Sequence, residues 1–228
     1  PILQHQILHS TNRYQYIQRK LQQTIARAAY VLSEQARLSK FSPVGLELGF
    51  GSKGDKLNPV TLQLPNGYEI KLRGRIDRVD KAVDQEDLYL RIIDYKSSAR
   101  GLDMVDVYYG IALQMLTYLD VVLSQSEQWL GKKATPAGVL YFHVHNPMIS
   151  GKSRMSDEDL EEEIFKRYKM KGLLINKERV VQMMDTSLES GGSDVIPAKL
   201  KKDGDFTANS KVAGKETFST LQEHIHRL

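Results

Sequence analysis

Apolar residues recur at spacings of three and four from residue 12 to 39. Tyr14, Ile17, Leu21, Ile25, Ala28 and Leu32 fall on one face, which predicts a long amphipathic helix. After Pro43 the period shortens to two. "VGLELGF" (44–50) and "VTLQL" (60–64) alternate, and "PNG" at 65–67 marks a hairpin turn. "YEIKLRGRIDRVDKAV" (68–83) and "LYLRIIDYKS" (88–97) read as strands on either side of the turn-like "DQED" at 84–87. Residues 103–125 then read as a helix and "AGVLYFHVH" (137–145) as a buried strand. This order predicts an α/β fold, a mixed central sheet with helices packed on it.

The last third carries weaker periodicity. "SDEDLEEEIFKRYKMKG" (156–172) predicts a helix capped by Ser156 with acids in its first turn. Loops are expected at 190–194 and 201–205, and a further helix from residue 215 to the chain end. The whole reads as one domain over 1–228. It comprises a long helix at 10–40, a core at 44–146 and a C-terminal extension at 147–228.

Composition narrows the function classes. The 228 residues are 41% hydrophobic and 26% charged, ordinary for a globular domain. The net charge of +4 permits an anionic partner without demanding one. Arg13, Arg19, Lys20, Arg27, Arg37 and Lys40 face a single acid, Glu34, along the first helix. That is first of all a solvated basic face. No cysteine is present, which excludes disulfides, thiolate zinc sites and iron–sulfur ligation by this chain and is compatible with a cytoplasmic origin. No apolar run approaches the ~20 residues of a membrane span. The start, "PILQHQILHS", has no initiator Met and no signal pattern, so the chain is expected to be a piece of a longer protein.

The chemistry concentrates at "GRIDRVD" and "IIDYKSS". If "DQED" closes an antiparallel hairpin, residue i pairs with residue 171 − i, which sets Asp77 opposite Asp94 and Arg75 opposite Lys96. Asp94 and Lys96 share a strand face while Tyr95 points away. Two facing carboxylates repel, and a divalent cation removes that repulsion. Carboxylate oxygens suit Mg²⁺ or Mn²⁺, and the nearby lysine would stabilise charge on a bound phosphate. The alternative is an exposed ion pair of little worth, and a one-residue slip would separate the acids.

Three linked motifs go further. Gly74 to Asp80 fit G-x-x-D-R-x-D, Asp94 to Lys96 give D-Y-K, and Gln114 with Tyr118 fit Q-x-x-x-Y, one helical turn apart. In this order they resemble the RecB branch of the PD-(D/E)XK nuclease superfamily. "FSPVGLELGFG", "LRGRIDRVD", "IIDYKSSA", "ALQMLTYLDVVL" and the downstream "DVIPAKLKKDGDF" resemble the nuclease region of the AddB family, one component of bacterial AddAB helicase–nucleases.

The resemblance implies a restriction-endonuclease-like core and metal-dependent DNA hydrolysis in double-strand-break processing. It implies Asp77, Asp94 and the Tyr95 backbone carbonyl as metal ligands and Lys96 as the catalytic lysine. Gln114 and Tyr118 would support the site or touch DNA, Glu47 would be an accessory acid or equally an exposed strand residue, and Arg75 and Arg78 would meet DNA. An AddA-like subunit and a DNA strand are the implied partners. Two family features have no counterpart here. The upstream metal-binding His is not matched by His5 or His9. The four cysteines of the family's iron–sulfur cluster are missing, so the chain is expected to begin after the first and end before the others. A non-cleaving DNA-binding or subunit-interaction module is the rival from another class, and a free-standing RecB-type exonuclease the rival enzyme.

Other patterns carry less. "GFGSKG" (49–54) fits G-x-G-x-x-G, but Pro59 follows where a dinucleotide site needs a helix. His143 and His145 read as an ordinary polar strand face, and Tyr108, Tyr109 and Trp129 as packing residues.

Overall fold

The computed structural model describes residues 11–63, 66–99, 101–110, 112–149 and 155–227. His5 and His9 lie outside the described residues. Helix α1 (Asn12–Arg37) starts at Thr11, whose Oγ1 accepts the Tyr14 amide hydrogen at 3.3 Å. Only its second half meets the core: Ala28 and Val31 are buried, while Leu21 and Ile25 stay 52% and 62% exposed. At 26 residues, or ~39 Å, the helix outruns the sheet beneath it.

Six strands form the central sheet in the order β1 (Ser42–Phe50), β4 (Gly74–Asp84), β5 (Asp87–Lys96), β6 (Ala134–His143), β7 (Lys171–Ile175) and β10 (Val212–Ala213). β5–β6 and β7–β10 pair in parallel and the other neighbours antiparallel, so the sheet is mixed. β2 (Val60–Gln63) and β3 (Glu69–Leu72) form a separate hairpin, and β8 (Gly191–Gly192) with β9 (Lys199–Leu200) a small ribbon. The long strand expected over 68–83 is thus two strands in two sheets. It breaks at Arg73, where Gly51 approaches so closely that a Cβ would stand 2.9 Å from the Leu72 carbonyl oxygen.

The helix expected over 103–125 is also divided, into α2 (Met104–Tyr108) and α3 (Gln114–Ser124). Gly110, at φ 75°, turns the chain between them. α4 (Ser126–Leu130), α5 (Asp157–Arg167), α6 (Glu178–Met184) and α7 (Lys215–Ile225) complete the helices. Ser156 caps α5 as its sequence predicts, accepting the Asp159 amide hydrogen at 3.1 Å. β7 and β10 come from the segment after residue 147 and extend the same sheet.

Helices cover both faces. α3 packs on β5 and β6, against the face carrying Leu90 and Ile92, which are fully buried. The second half of α1 covers the other face, where Leu32 and Gln35 meet Arg78, Arg91 and Ile93. α7 is fastened to α3 by Asp120, whose carboxylate accepts from Gln222 Nε2 at 3.1 Å and faces His226 Nε2 at 3.0 Å. Among the described residues no helix is long and apolar enough to cross a membrane.

Candidate active site

The hairpin between β4 and β5 turns on Gln85 and Glu86, with Asp84 facing Asp87. Gln85 takes φ 56°, the left-handed conformation that a two-residue hairpin loop requires. The pairs run from there to Arg78 opposite Ile93, and every pair sums to 171. The bonded pairs end there, and the charge of Asp77, next along β4, acts on Asp94. The Asp77 Oδ2 accepts the Tyr95 amide hydrogen at 2.9 Å.

Asp94 is 2% exposed. Its Oδ2 lies 2.7 Å from Lys96 Nζ, but the contact lacks the angles of a hydrogen bond, and this buried oxygen has no hydrogen-bond partner. Burial pushes the Asp94 carboxyl above the usual carboxylate range; Lys96 works against that rise and the charge of Asp77 adds to it. Lys96 also donates to Gln114 Oε1 at 3.2 Å, and Gln114 Nε2 donates to the Tyr118 hydroxyl at 2.9 Å. The Tyr118 ring meets Phe50 edge-on, centroids 5.9 Å apart. Gly74 opens the first motif because the Phe50 ring fills the space of a side chain: a Cβ there would stand 2.9 Å from it. The three motifs therefore form one connected site, from Asp77 through Asp94 and Lys96 to Gln114 and Tyr118.

Glu47 is placed differently. β1 and β4 pair with a sum of 124 around it, as in Leu46–Arg78 and Leu48–Ile76, which aligns Glu47 with Asp77. Its backbone is left-handed at φ 47°, and its exposed side chain lies 3.8 Å from exposed Arg75. Among the described residues no three His, Cys, Asp or Glu side chains converge as a metal-holding group. The partner it shows is Arg75.

Arg78 does not reach the surface where DNA contact was expected. Its side chain is 11% exposed, and it grips Asp80 through Nε at 2.6 Å and Nη2 at 3.0 Å. Arg91, directly opposite Asp80 in the register, reaches the same carboxylate at 2.9 Å and stacks over Phe41 at 4.8 Å. Arg and Asp of the first motif thus form a buried cluster under α1, on the far side of the sheet from Lys96. The sum of 171 that pairs Asp77 with Asp94 also pairs Asp80 with Arg91, so this cluster was open to the same arithmetic.

The remaining singled-out residues are placed as follows. Tyr109 is 69% exposed, while Tyr108, 68% exposed, stacks its ring on His224 of α7 at 5.9 Å; Val107 supplies the buried contact of α2. His143 lies next to Lys96 across β5–β6. Its ring stacks on His145 at 3.9 Å and contacts the Ser97 carbonyl at 3.3 Å. Burial, then the neighbouring His145, hold the His143 imidazole below its usual range. At "GFGSKG" the loop holds its own anion: Asp55 accepts the Ser52 amide hydrogen at 2.7 Å and fills the space beside Gly49.

The donor set fits a hard divalent cation. Asp94 offers a buried oxygen without a hydrogen-bond partner, Asp77 faces it, and the Tyr95 carbonyl belongs to the residue whose amide Asp77 holds. Two carboxylates with a carbonyl leave positions for water and phosphate, as Mg²⁺ prefers.

Comparisons with known proteins place the chain in a family. The family model of the PD-(D/E)XK nuclease superfamily matches residues 2–228. The chain is 66% identical over 228 residues to the B-type subunit of the ATP-dependent helicase/deoxyribonuclease of Oceanobacillus iheyensis, covering all of this chain and 20% of that protein. Proteins of the same name from Bacillus pumilus and Bacillus subtilis are 54% and 53% identical over 227 residues, with 19% of each covered. The chain thus spans about a fifth of the length of these relatives. Its mixed six-stranded sheet flanked by helices is consistent with the restriction-endonuclease-like fold of that family, and the chain belongs to the PD-(D/E)XK nuclease superfamily.

Proposed function

We propose that this chain hydrolyses DNA phosphodiester bonds with Mg²⁺ held by Asp77, Asp94 and the Tyr95 carbonyl. The observation that carries the reading is the buried Asp94 carboxylate, held between the charge of Asp77 and the Lys96 ammonium 2.7 Å from its Oδ2. When bound, the cation supplies Lewis-acid polarisation of the phosphate and water of lowered pKa. Lys96 places a fixed positive charge beside the phosphate, where negative charge develops in the transition state. Gln114 holds the ammonium in place and is itself held by Tyr118. Arg75, exposed beside Glu47, meets the neighbouring phosphate.

The relatives are named as subunits of a helicase/deoxyribonuclease. By that likeness the chain serves as the nuclease part of an AddB-type protein. It cuts a strand delivered by the motor during double-strand-break repair and works beside an AddA-like subunit.

Cleavage of end-labelled single-stranded DNA tests the reading. Products that form in Mg²⁺, vanish in EDTA and vanish with Asp77→Ala support it. Binding that survives EDTA with no product in any condition points to the non-cleaving module, and equal cutting by Asp77→Ala overturns the site.

A further inference from the structure

The row of residues through the site continues across the sheet. Asp94 pairs with Tyr141 on β6, and Tyr141 pairs with Lys171 at the start of β7. With strands ~4.8 Å apart, Lys171 stands roughly 10 Å from Asp94 along the same end of the sheet. A cavity of about 720 Å³ opens there, lined by Lys166, Arg167, Lys169, Lys171, Lys199 and Lys211. Gly101 and Leu102, on the segment leaving the strand that bears Lys96, form its near wall.

Its charge is one-sided. No carboxylate lines it. Lys166 is paired with Glu162 and Glu163 of its own helix, whereas the other five cations form no ion pair among the described residues. The segments that supply them are separated in sequence: the end of α5, the start of β7, β9 and residue 211. Five uncompensated cations brought to one concave surface repel each other, and an anion with several charges at intervals relieves that repulsion. A single nucleic-acid strand has that form, and a cavity of this size takes a few nucleotides but not a duplex.

We infer that this cavity is the track for the single strand beside the scissile bond, holding phosphates a short way along the strand from the metal site. The inference rests on the proposed nuclease reading and assigns the substrate's path. Lys169, Lys171 and Lys211 grip phosphate oxygens, and base identity is not read.

The test uses the whole 228-residue chain and a fluorescein-labelled oligodeoxynucleotide, with anisotropy recorded in EDTA over a range of salt concentrations. The paired variant Lys171→Ala, Lys211→Ala is compared with Lys132→Ala, Lys133→Ala. The second pair is exposed at the opposite end of the sheet, before β6 begins. Each lost phosphate contact on a single strand lowers the slope of log affinity against log salt by about 0.7, so the first pair should lower it by about 1.4. The second pair should leave it unchanged. Equal slopes for wild type and both pairs overturn the track, as does a wild-type chain that binds no DNA. Cleavage in Mg²⁺, run on the same samples, separates the two readings. A cutting chain with an unaltered slope loses only the track. A non-cutting chain whose slope falls as stated keeps the track and loses the nuclease reading.

Discussion

Asp77 Oδ2 accepts the amide hydrogen of Tyr95 at 2.9 Å, just where the bonded register of β4 and β5 ends. The carboxylate is thereby fixed beside Asp94 by the backbone of the D-Y-K motif itself. In the proposed site the two acids come from adjoining strand ends.

Lys96 is the side chain whose loss should separate chemistry from metal binding. Its ammonium lies 2.7 Å from the Asp94 oxygen assigned to the metal, so it competes with a cation there and repels it. Lys96→Ala should lower the single-turnover cleavage rate by about 10²–10³-fold. Mn²⁺ affinity, measured by calorimetry, should be undiminished. A parallel loss of both would make Lys96 a scaffold residue.

Asp94 should cost the metal-free protein stability at neutral pH. Its carboxyl is raised by burial, so the native state binds more protons than the unfolded state above the ordinary carboxylate pKa of about 3.9. Stability is therefore lost as pH rises from that value through the raised native one. Asp94→Asn should flatten this decline and leave the melting temperature in EDTA equal or higher at pH 7, while abolishing cleavage. A clear fall in melting temperature would show that the Lys96 pair outweighs the burial cost.

Asp80 should matter for folding alone. Removing it leaves the Arg78 and Arg91 guanidinium groups buried without a counter-charge. Asp80→Ala should cost about 3–5 kcal/mol in denaturant unfolding. A loss below about 1 kcal/mol would mean that water reaches the cluster.

Tyr118 has two separable duties. Tyr118→Phe keeps the edge contact with Phe50 but frees Gln114, and should lower the cleavage rate roughly tenfold, the equivalent of one hydrogen bond. The melting temperature should stay close to wild type. Tyr118→Ala should lower both.

Much of this was legible in the sequence because the β4–β5 hairpin is symmetric about a two-residue turn, so one sum fixes every pair in it. That arithmetic located Asp77 against Asp94. Arg78 was misread because a charged residue is ordinarily exposed, although the same sum placed its partner Asp80 opposite Arg91. Gln114 and Tyr118 were recognisable at their four-residue spacing, but the break at Gly110 before them depends on a left-handed turn that periodicity does not report. Glu47 sits where the strand departs from alternation at φ 47°, so a period-two reading could not place its side chain. β7 and β10, of five and two residues, are too short to show a period. Their pairing with distant strands created the basic cavity that no local pattern revealed.

The central claim is that Asp77 and Asp94 together hold a divalent cation. Calorimetric titration of Mn²⁺ into the wild-type chain, Asp77→Asn and Asp94→Asn tests it without relying on catalysis. The account predicts saturable binding by the wild type that is lost, or weakened by more than tenfold, in each variant. Undiminished binding in either variant would contradict it, and the facing carboxylates would need another explanation.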